Sequence, residues 1–335
     1  MGALTVIIVN YKAMEDIQKC LESAFNFPSA HNFEWIIVNN DVSENNHESL
    51  MIRYPRLKWI NMDYNAGFAR ANNEGIRQSS GQAVLLLNPD TIILDDAIEK
   101  CFQRLINSTY IAGSVQLLNE DQTPQITGNF FMKGGLNHLL PLPYLGNLLR
   151  SVAFAAKVKK TNIPMASAEE KADWITGAFL MVKKEAIEKA GLMDEDFFLY
   201  SEETEWCHRL GKYGEMCVFG DLHTIHIQGE AINRAMQTRD KGYSNVTGKR
   251  GLQLMVSQHV RTRKQFGKGW FLFHLLVHTF EIPFYFFSSF FDHLFHLKNP
   301  LSDWKNIKSY TANVFTLLQL TPKIMSGKKY FYKMM

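Results

Sequence analysis

An aspartate at the end of an apolar run is the first residue here whose type and position suggest chemistry. Residues 84–87 read VLLL and lead into Asn88-Pro89-Asp90. This pattern predicts a strand buried on both faces that ends where Pro89 cannot continue the hydrogen-bonded ladder. Open α/β sheets bind their ligands at the carboxyl ends of strands, so Asp90 is either a ligand-binding carboxylate or a cap for the next helix.

A second group of carboxylates lies in the most acidic stretch of the chain. Glu202, Glu203 and Glu205 occupy the start of a predicted helix. Favourable interaction with the helix dipole is one sufficient explanation for them. The apolar residues 197–200 just before them favour a position at the rim of a cleft, where a carboxylate with a raised pKa can act as a general base.

Two common nucleotide-binding signatures are missing from the sequence. The first predicted strand is followed by NYKAMED rather than by a G-x-G-x-x-G turn, and no G-x-x-x-x-G-K-S/T loop occurs. A nucleotide bound by this chain would therefore be held by polar side chains and a metal. His226, in the alternating segment 223–230, is either a metal ligand or a structural histidine.

Length and composition set broad limits on the class of protein. The chain has 335 residues, a formal net charge of +3 and four cysteines without metal-ligand spacing. The balanced charge implies no polyanionic partner, and the cysteine pattern favours a reducing compartment. Because LTVIIV (4–9) has no basic leader and suits a first strand, we expect a cytoplasmic protein.

The hydrophobic pattern predicts alternating strands and helices in the first half of the chain. We expect strands at 4–9, 33–38, 57–62, 83–87 and 111–118, and helices at 15–25, around 51–52, 68–78 and 95–107. This order predicts a mainly parallel sheet with right-handed crossovers. Strands at 173–183 and 223–230 and a helix at 184–190 follow.

Two further segments differ in composition from this alternating pattern. Residues 129–165 carry Gly, Pro, Leu and a lysine cluster, and form either a passive surface insertion or a lid facing the acceptor or a membrane. The C-terminal region is basic over 249–270 and then rich in Phe, with polar interruptions that disfavour a transmembrane helix. It suits either a helix pair in the membrane interface, which we favour, or a buried hairpin or dimer interface.

Five stretches together resemble the inverting glycosyltransferases of family 2, which have the GT-A fold. They are VIIVNYK (6–12), NAGFARANNEGI (65–76), LLLNPDT (85–91), residues 174–210 and HIQGE (226–230). The similarity is strongest to rhamnosyltransferase-like members that build O-antigen and related bacterial surface polysaccharides. The resemblance divides the chain into a nucleotide-sugar-binding half (1–128), an insertion or lid (129–165), an acceptor-binding half (166–235) and a helical C-terminal region (236–335).

The resemblance implies roles for individual residues. The donor nucleotide would be contacted by Val9, Asn10, Tyr11, Asn39, Asp41, Asn65, Gly67, Phe68, Arg70, Asn73, Asn88 and Asp90. Asp90 and His226 would hold a divalent cation, Mg²⁺ or Mn²⁺, against the diphosphate. Glu203 would be the general base, with Glu202 as the alternative, and Trp174, Thr176 and Gly177 would contact the acceptor.

The same resemblance implies the partners and the location. The donor would be dTDP-rhamnose or a UDP-hexose, and the acceptor a glycan linked to polyprenyl diphosphate. The enzyme would lie on the inner face of the bacterial cytoplasmic membrane, with a homodimer possible and no nucleic-acid partner. Two positions depart from the family pattern: Asn39 stands where an aspartate usually contacts the base, unless Asp41 serves after a shift, and Glu203 replaces a commoner aspartate.

Two other functions are consistent with parts of this pattern. A nucleotidyltransferase also uses a metal-bound aspartate on an α/β sheet, but it needs a glycine-rich basic loop where this chain has NYKAMED. A nucleotide-sugar-binding scaffold without catalysis fits the substitutions at Asn39 and Glu203. Hydrolysis of a nucleotide-sugar donor would distinguish a transferase from such a binder.

Overall fold

The computed structural model describes residues 4–44, 47–227 and 246–335, and the chain divides into two units. Unit 1 comprises Met1–Phe130, Asn162–Glu195 and Glu202–Lys241. Unit 2 comprises Phe131–Thr161, Asp196–Ser201 and Gly242–Met335. Most of the segment that the sequence marked as an insertion or lid therefore belongs with the C-terminal helices.

The strands all lie in unit 1. In chain order they are β1 (Leu4–Asn10), β2 (Glu34–Asn39), β3 (Lys58–Asn61), β4 (Ala83–Leu87), β5 (Thr91–Ile93), β6 (Ala112–Leu118), β7 (Gly128–Asn129), β8 (Glu169–Ala172), β9 (Trp174–Ile175), β10 (Phe179–Lys183) and β11 (Met216–His226). The main sheet has the order β3-β2-β1-β4-β10-β6-β11-β5, with β8 paired to β11, while β7 and β9 form a separate pair.

The helices belong to both units. Unit 1 contains α1 (Met14–Phe25), α2 (Glu48–Arg53), α3 (Gly67–Arg77), α4 (Ala97–Ile106), α6 (Lys184–Ala190) and α7 (Glu202–Leu210). Unit 2 contains α5 (Leu145–Ala155), α8 (Gly248–Phe266), α9 (Lys268–Phe295) and α10 (Trp304–Ser326). Short 3₁₀ segments cover Pro28–Asn32 in unit 1 and Lys133–Leu139 in unit 2.

The predicted parallel sheet is confirmed for its first four strands. β1 pairs in parallel with β2 on one side and β4 on the other, and β2 pairs in parallel with β3. The carboxyl ends of these four strands therefore point to one edge of the sheet. β10 enters antiparallel between β4 and β6, so the sheet is mixed from that point onwards.

Three strand predictions need correction. The segment 173–183 is not one strand, because the chain turns at 176–178 between β9 and β10. The strand predicted at 223–230 begins earlier, at Met216, and its predicted residues 228–230 lie outside the described residues. After Pro89 the chain also re-enters the sheet as β5, which pairs antiparallel with β11.

Unit 1 has a hydrophobic core on each face of its sheet. Alternate residues of β1 supply the two cores: Val6 and Ile8 face one layer with α1 and α4, and Ile7 faces the other with α3. Alternation is the expected result of a strand with neighbours on both faces. Polar side chains are concentrated at the strand ends, where the candidate site lies.

In unit 2, the helix α9 buries several polar side chains and exposes apolar ones, unlike the strands of unit 1. Its buried residues are Phe271, His274, Leu275, His278, Glu281, Tyr285 and Ser289. The exposed residues over 272–291 are Leu272, Phe273, Leu276, Thr279, Phe280, Pro283, Phe287 and Phe291. Among the described helices, α9 alone is long and apolar enough to cross a membrane by length and composition, and 33% of its most apolar window is buried.

Candidate functional site

Three asparagines link the carboxyl ends of the first three strands. The Asn10 amide donates to Oδ1 of Asn39 at 2.8 Å, and the Asn39 amide donates to Oδ1 of Asn61 at 3.0 Å. The backbone N–H of Asp41 also donates to Oδ1 of Asn39. Because the polar atoms of Asn39 are occupied within the sheet edge, Asp41 is the better placed of the two for a ligand contact.

The loop before α3 is fastened to the same edge. Asn40 donates from its side-chain amide to the Gly67 carbonyl at 2.9 Å and accepts from the backbone N–H of Ala66 at 3.3 Å. The Asn65 side chain accepts from the Gly67 N–H at 3.1 Å, and Gly67 has a φ of +76°. This left-handed conformation suits glycine and turns the chain into α3 beside the strand ends.

Side chains of α3 hold the chain segment 193–195, ahead of α7. The Asn73 amide group both donates to the Met193 carbonyl and accepts from its N–H, each at 2.9 Å. The guanidinium of Arg70 donates to the Glu195 carbonyl at 3.1 Å, and Arg77 forms an ion pair with the Glu195 carboxylate. Arg70 and Asn73 therefore have structural partners, and their predicted contacts with a nucleotide stay predictions.

Asp90 and His226 lie side by side at the end of β4. Backbone pairing of β5 with β11 sets His226 opposite Thr91, and the Ile227 N–H donates to the Asp90 carbonyl at 2.8 Å. His226 Nε2 is 3.4 Å from Oδ1 of Asp90 and 3.3 Å from the amide nitrogen of Asn88. Both Asp90 and His226 are 6% exposed.

The pair fits a divalent cation. An imidazole nitrogen and a carboxylate oxygen face each other at 3.4 Å, a separation that suits two neighbouring ligands of one ion with bonds of about 2.1 Å. No three His, Cys, Asp or Glu side chains within the described residues are placed to share a metal. Diphosphate oxygens and water would complete the shell, as Mg²⁺ sites commonly arrange.

The turn 176–178 connects the Asp90 region with the predicted base. The Ala178 carbonyl accepts from the Asn88 N–H at 2.9 Å. A Cβ on Gly177 would lie 3.4 Å from the Phe68 ring and 3.7 Å from Cβ of Glu203. The structure therefore brings Phe68, Gly177 and Glu203 together. Gly177 directly precedes Ala178, whose carbonyl binds the chain at the end of β4.

The two carboxylates at the start of α7 have different environments. Glu202 is 3% exposed, and its Oε2 is buried with no hydrogen-bond partner among the described residues. Burial, together with the neighbouring Glu203 carboxylate, raises the pKa of Glu202 well above its usual value. The raised pKa favours the protonated form of Glu202, which lies beside the predicted base Glu203.

The third acidic residue of α7 has a structural contact. Both carboxylate oxygens of Glu205 accept from the Arg209 guanidinium, at 2.8 to 3.0 Å. Arg209 also donates to the carbonyls of Ala190 and Leu192. Glu205 thus orients an arginine that fastens α7 to the end of α6, and it is unavailable as a base.

Immediately before Glu202 the backbone adopts an unusual conformation. Tyr200 and Ser201 have φ angles of +70° and +68°, in the left-handed region that non-glycine residues rarely occupy. The helix α7 begins directly after these two residues, at Glu202. Strain of this type is concentrated at functional sites in proteins.

Several residues around the site were not anticipated. They are Asn40 and Asn61 at the strand ends, Gln125 beside His226, Ala178 in the turn, and Arg209 on α7. Asn40 and Asn61 could have been predicted, because asparagines recur at the ends of three successive strands. The others act through contacts between residues far apart in sequence, which no local pattern reveals.

The mixed sheet with helices on both faces is an α/β fold of the GT-A type. Residues 5–154 match the family described as Glycosyl transferase family 2. A relative from Haloferax volcanii, the low-salt glycan biosynthesis hexosyltransferase Agl10, is 30% identical over 62% of this chain and 61% of its own length. The family match over residues 5–154 and this relative support the resemblance to the family 2 glycosyltransferases.

A second relative and a solved structure support this assignment. N-acetylglucosaminyl-diphospho-decaprenol L-rhamnosyltransferase from Mycobacterium tuberculosis is 21% identical over 69% of this chain and 78% of its length. The mannosyltransferase PcManGT from Pyrobaculum calidifontis, solved with GDP-Man and Mn²⁺, has a TM-score of 0.53 at 13% identity over 94% of this chain and 86% of its own. This last likeness concerns the fold, and it confirms the predicted fold class.

Proposed function

We propose that the protein is an inverting glycosyltransferase that transfers a sugar from a nucleotide-diphosphate donor to a glycan hydroxyl. The observation that carries the proposal is the turn 176–178, because it contacts Asn88 on one side and lies against Glu203 on the other. The edge proposed to bind the diphosphate and the proposed general base would thus meet at one turn. The match of residues 5–154 to glycosyl transferase family 2 supports the same reaction class.

On the donor side, Asp90 and His226 would hold Mg²⁺ or Mn²⁺ beside the diphosphate. The bound ion would neutralise negative charge on the leaving nucleoside diphosphate. Asp41 would contact the nucleotide in place of Asn39, because both polar atoms of Asn39 are occupied within the sheet edge, whereas Ser43 occupies only Oδ1 of Asp41 in the bonds described. The donor classes that the family resemblance favours are dTDP-rhamnose and UDP-hexoses.

On the acceptor side, Glu203 would take the proton from the attacking hydroxyl. The new bond forms at the anomeric carbon as the bond to the diphosphate oxygen breaks on the opposite face, so the configuration inverts. Positioned base catalysis typically contributes about 10²- to 10⁴-fold. A protonated Glu202 would leave Glu203 as the ionised member of the pair, and Trp174, Thr176 and Gly177 would line the acceptor side.

The proposed acceptor is a glycan linked to polyprenyl diphosphate, in O-antigen- or capsule-type synthesis. Support comes from the M. tuberculosis relative, whose name specifies a diphospho-decaprenol acceptor, and from α9. Over residues 272–291, about 30 Å of helix, the exposed side chains are uncharged, and the Thr279 hydroxyl donates to the helix's own Leu275 carbonyl. Such a surface suits the acyl region of a bilayer.

The charge around this apolar face also suits a membrane. Residues 268–335 contain eight lysines and three acidic residues, and Lys268 and Lys298 flank the apolar stretch. Lysines of this kind favour anionic lipid headgroups. We therefore propose peripheral attachment to the inner face of the cytoplasmic membrane, which sedimentation of the full-length protein with anionic and neutral vesicles would test.

A donor screen tests the proposed reaction. The protein is mixed with dTDP-rhamnose, UDP-hexoses and GDP-mannose, with Mn²⁺ or with a chelator, and its unfolding temperature is recorded. A donor at 100 times its Kd adds about 2.7 kcal/mol of stability. We expect metal-dependent stabilisation by one donor, its loss in Asp90→Ala but not in the surface control Asp292→Ala, and slow metal-dependent donor hydrolysis.

The product and the turnover complete the test. An inverted anomeric configuration in the product, read by NMR, supports single displacement, whereas retention would overturn it. Donor binding without hydrolysis or transfer would favour the scaffold alternative. No stabilisation by any nucleotide sugar, with or without metal, would contradict the proposal as a whole.

A further inference from the structure

We propose that Gln125 is a positioning residue that fixes the tautomer of His226, so that Nε2 carries a lone pair toward Asp90. The inference rests on the proposed metal site for its purpose, but its geometry is independent of any metal. Gln125 is 9% exposed and lies 101 residues before His226 in the sequence. Its side chain contacts both the ring and the main chain of that histidine.

The orientation of the Gln125 amide follows from its partners. Its NH₂ group donates to the His226 carbonyl at 2.6 Å and to Oδ1 of Asn119 at 2.8 Å. With both protons of the amide used, Oε1 is the atom that faces His226 Nδ1, at 3.0 Å. A carbonyl oxygen only accepts, so Nδ1 must carry the proton, and a neutral ring then has no proton on Nε2.

A chain of hydrogen bonds sets the direction of this contact. Asp121 can only accept when ionised, and it takes the Thr123 hydroxyl proton at 2.5 Å. The Thr123 oxygen therefore accepts from the Asn119 amide at 2.8 Å, which turns Oδ1 of Asn119 toward Gln125. Hydrogen bonds from Thr123 lower the pKa of Asp121, so the chain starts from a carboxylate.

The main chain of Gln125 is also fixed. Its N–H donates to the Leu117 carbonyl at 2.8 Å, and its carbonyl accepts from the Gln116 side chain at 2.7 Å. Gln116, 1% exposed, is in turn held by the Ala166 N–H. The amide that meets His226 is thus placed by β6 and by a buried neighbour, so its position is determined before any ligand arrives.

The consequence is a histidine prepared to act as a ligand. The Nε2 lone pair faces the Oδ1 of Asp90 at 3.4 Å, with the Asn88 amide donating to it at 3.3 Å. A cation held by Nε2 and by Oδ1 of Asp90 would take the place of the Asn88 amide proton at this lone pair. Partners that orient metal-binding histidines in this way typically contribute about 10- to 100-fold to metal affinity.

The test compares Gln125→Leu with Gln125→Glu in the full-length protein. The glutamate variant keeps an acceptor for the Nδ1 proton, whereas the leucine variant removes it. The readouts are Mn²⁺ affinity by EPR without donor and the His226 tautomer by ¹⁵N NMR, assigned against His226→Gln. Spectra are taken above the ordinary histidine pKa of about 6.5.

We expect an Nδ1–H tautomer in the wild type and in Gln125→Glu, with Mn²⁺ affinity preserved within a few-fold. Gln125→Leu should shift the tautomer and lower affinity about 10- to 100-fold. Asn119→Ala, which keeps Gln125 but removes one of its orienting partners, should give a smaller loss and serves if Gln125→Leu does not fold. Thr224→Val on the same strand, whose buried hydroxyl has no partner among the described residues, is the matched control and should change neither readout.

Failure of this inference is distinguishable from failure of the proposed reaction. A wild-type ring protonated on Nε2, or a Gln125→Leu variant with unchanged tautomer and affinity, would overturn the role of Gln125. An Nδ1–H tautomer that depends on Gln125 in a protein that binds no Mn²⁺, alone or with a donor, would instead contradict the metal assignment.

Discussion

The two units of this protein place their polar residues in opposite locations. Unit 1 buries aliphatic strands such as β1 and β4 and keeps its asparagines and carboxylates at the strand ends. Unit 2 buries His259, His274, His278 and Glu281 and exposes phenylalanines along α9. A core with polar groups at one edge suits ligand binding from water, whereas a polar interior with an apolar surface suits contact with lipid.

Two of these interior polar groups, His274 and Glu281, are bonded to main-chain groups of the same unit. The His274 ring donates to the Gly134 carbonyl at 2.8 Å, and the Glu281 carboxylate accepts from the N–H groups of Tyr144 and Leu145. These bonds fasten α9 to the segment that the sequence marked as a lid. The comparison therefore predicts that chemistry and membrane binding can be lost separately.

The largest expected effect is on the chemistry of unit 1. Replacing Glu203 by Gln removes the proposed base and should lower the transfer rate by about 10²- to 10⁴-fold. Replacing Glu202 by Gln copies its protonated form, so activity should stay within a few-fold and the unfolding temperature should rise, since a buried carboxylate no longer needs to be neutralised. Rates and unfolding curves measured side by side check both.

The two variants also test the separation of the units. Both should sediment with vesicles as the wild type does. Equal losses of activity in Glu202→Gln and Glu203→Gln would mean that the pair acts as one group, and a larger loss in Glu202→Gln would transfer the role of base to that residue.

The second expected effect is on membrane binding by unit 2. Aspartate at both Phe280 and Phe287 removes two exposed rings from the apolar face of α9, which are 56% and 57% exposed. Each ring is worth about 1.5–3 kcal/mol when buried, so partition into anionic vesicles should fall at least tenfold. Hydrolysis of a soluble donor should not change, because unit 1 is intact.

An exposed aliphatic residue of unit 1 provides the control for this pair. Ile52 is 82% exposed, and Ile52→Asp should leave vesicle binding unaltered. If the double aspartate variant binds vesicles normally but changes from dimer to monomer in solution, the apolar face is instead an interface between copies of the chain.

The third expected effect is a loss of folding stability at acidic pH, caused by the buried histidines of unit 2. Burial lowers the pKa of His259 to about 3 and lowers that of His278 well below its usual value. The unfolded chain binds these protons from about pH 6.5, so stability is complete above that pH and is lost as the pH falls from 6.5 toward 3. At pH 5 each such histidine costs about 2 kcal/mol.

His259→Met replaces the imidazole ring by an apolar side chain of similar size that does not titrate. Below pH 6.5 the slope of unfolding free energy against pH should fall by about 1.4 kcal/mol per pH unit, as measured by denaturant unfolding at several pH values. Above that pH the wild-type and variant slopes should coincide. Identical slopes over the acid range would mean that His259 is protonated in the folded protein.

The sequence was sufficient for the elements that repeat a local period. Strands β1 to β4 and helices α1, α3, α4 and α6 are recognisable from apolar spacing and from the residues that end them, and these elements carry Asp90 and the strand-end asparagines. Short strands such as β5 and β8 contain too few residues to show a period. Their positions depend on pairing with β11, far along the chain.

The candidate site was predictable in part for the same reason. Motif resemblance marked Asp90, His226 and Glu203, and the structure brings Glu203 to Gly177 and Asp90 to His226. The role of Gln125 depends on a bond across 101 residues, and the assignment of 196–201 to unit 2 depends on tertiary packing. Neither feature can be predicted from the local sequence. A glutamine such as Gln125 is common in turns, and a run such as 197–200 (FFLY) is common in any apolar segment.

The smallest expected effect is at the boundary where the chain leaves unit 2 and begins α7. Ser201 has a φ of +68°, which costs a non-glycine residue about 1–2 kcal/mol. Ser201→Gly removes this cost but adds about 0.5–1 kcal/mol of chain entropy in the unfolded state, so we expect a gain of a few tenths to about 1 kcal/mol. Ser201→Val should lose at least that much. If glycine raises stability but lowers the transfer rate while vesicle binding is unchanged, the left-handed conformation of Ser201 serves the position of the neighbouring Glu203 at a cost in stability.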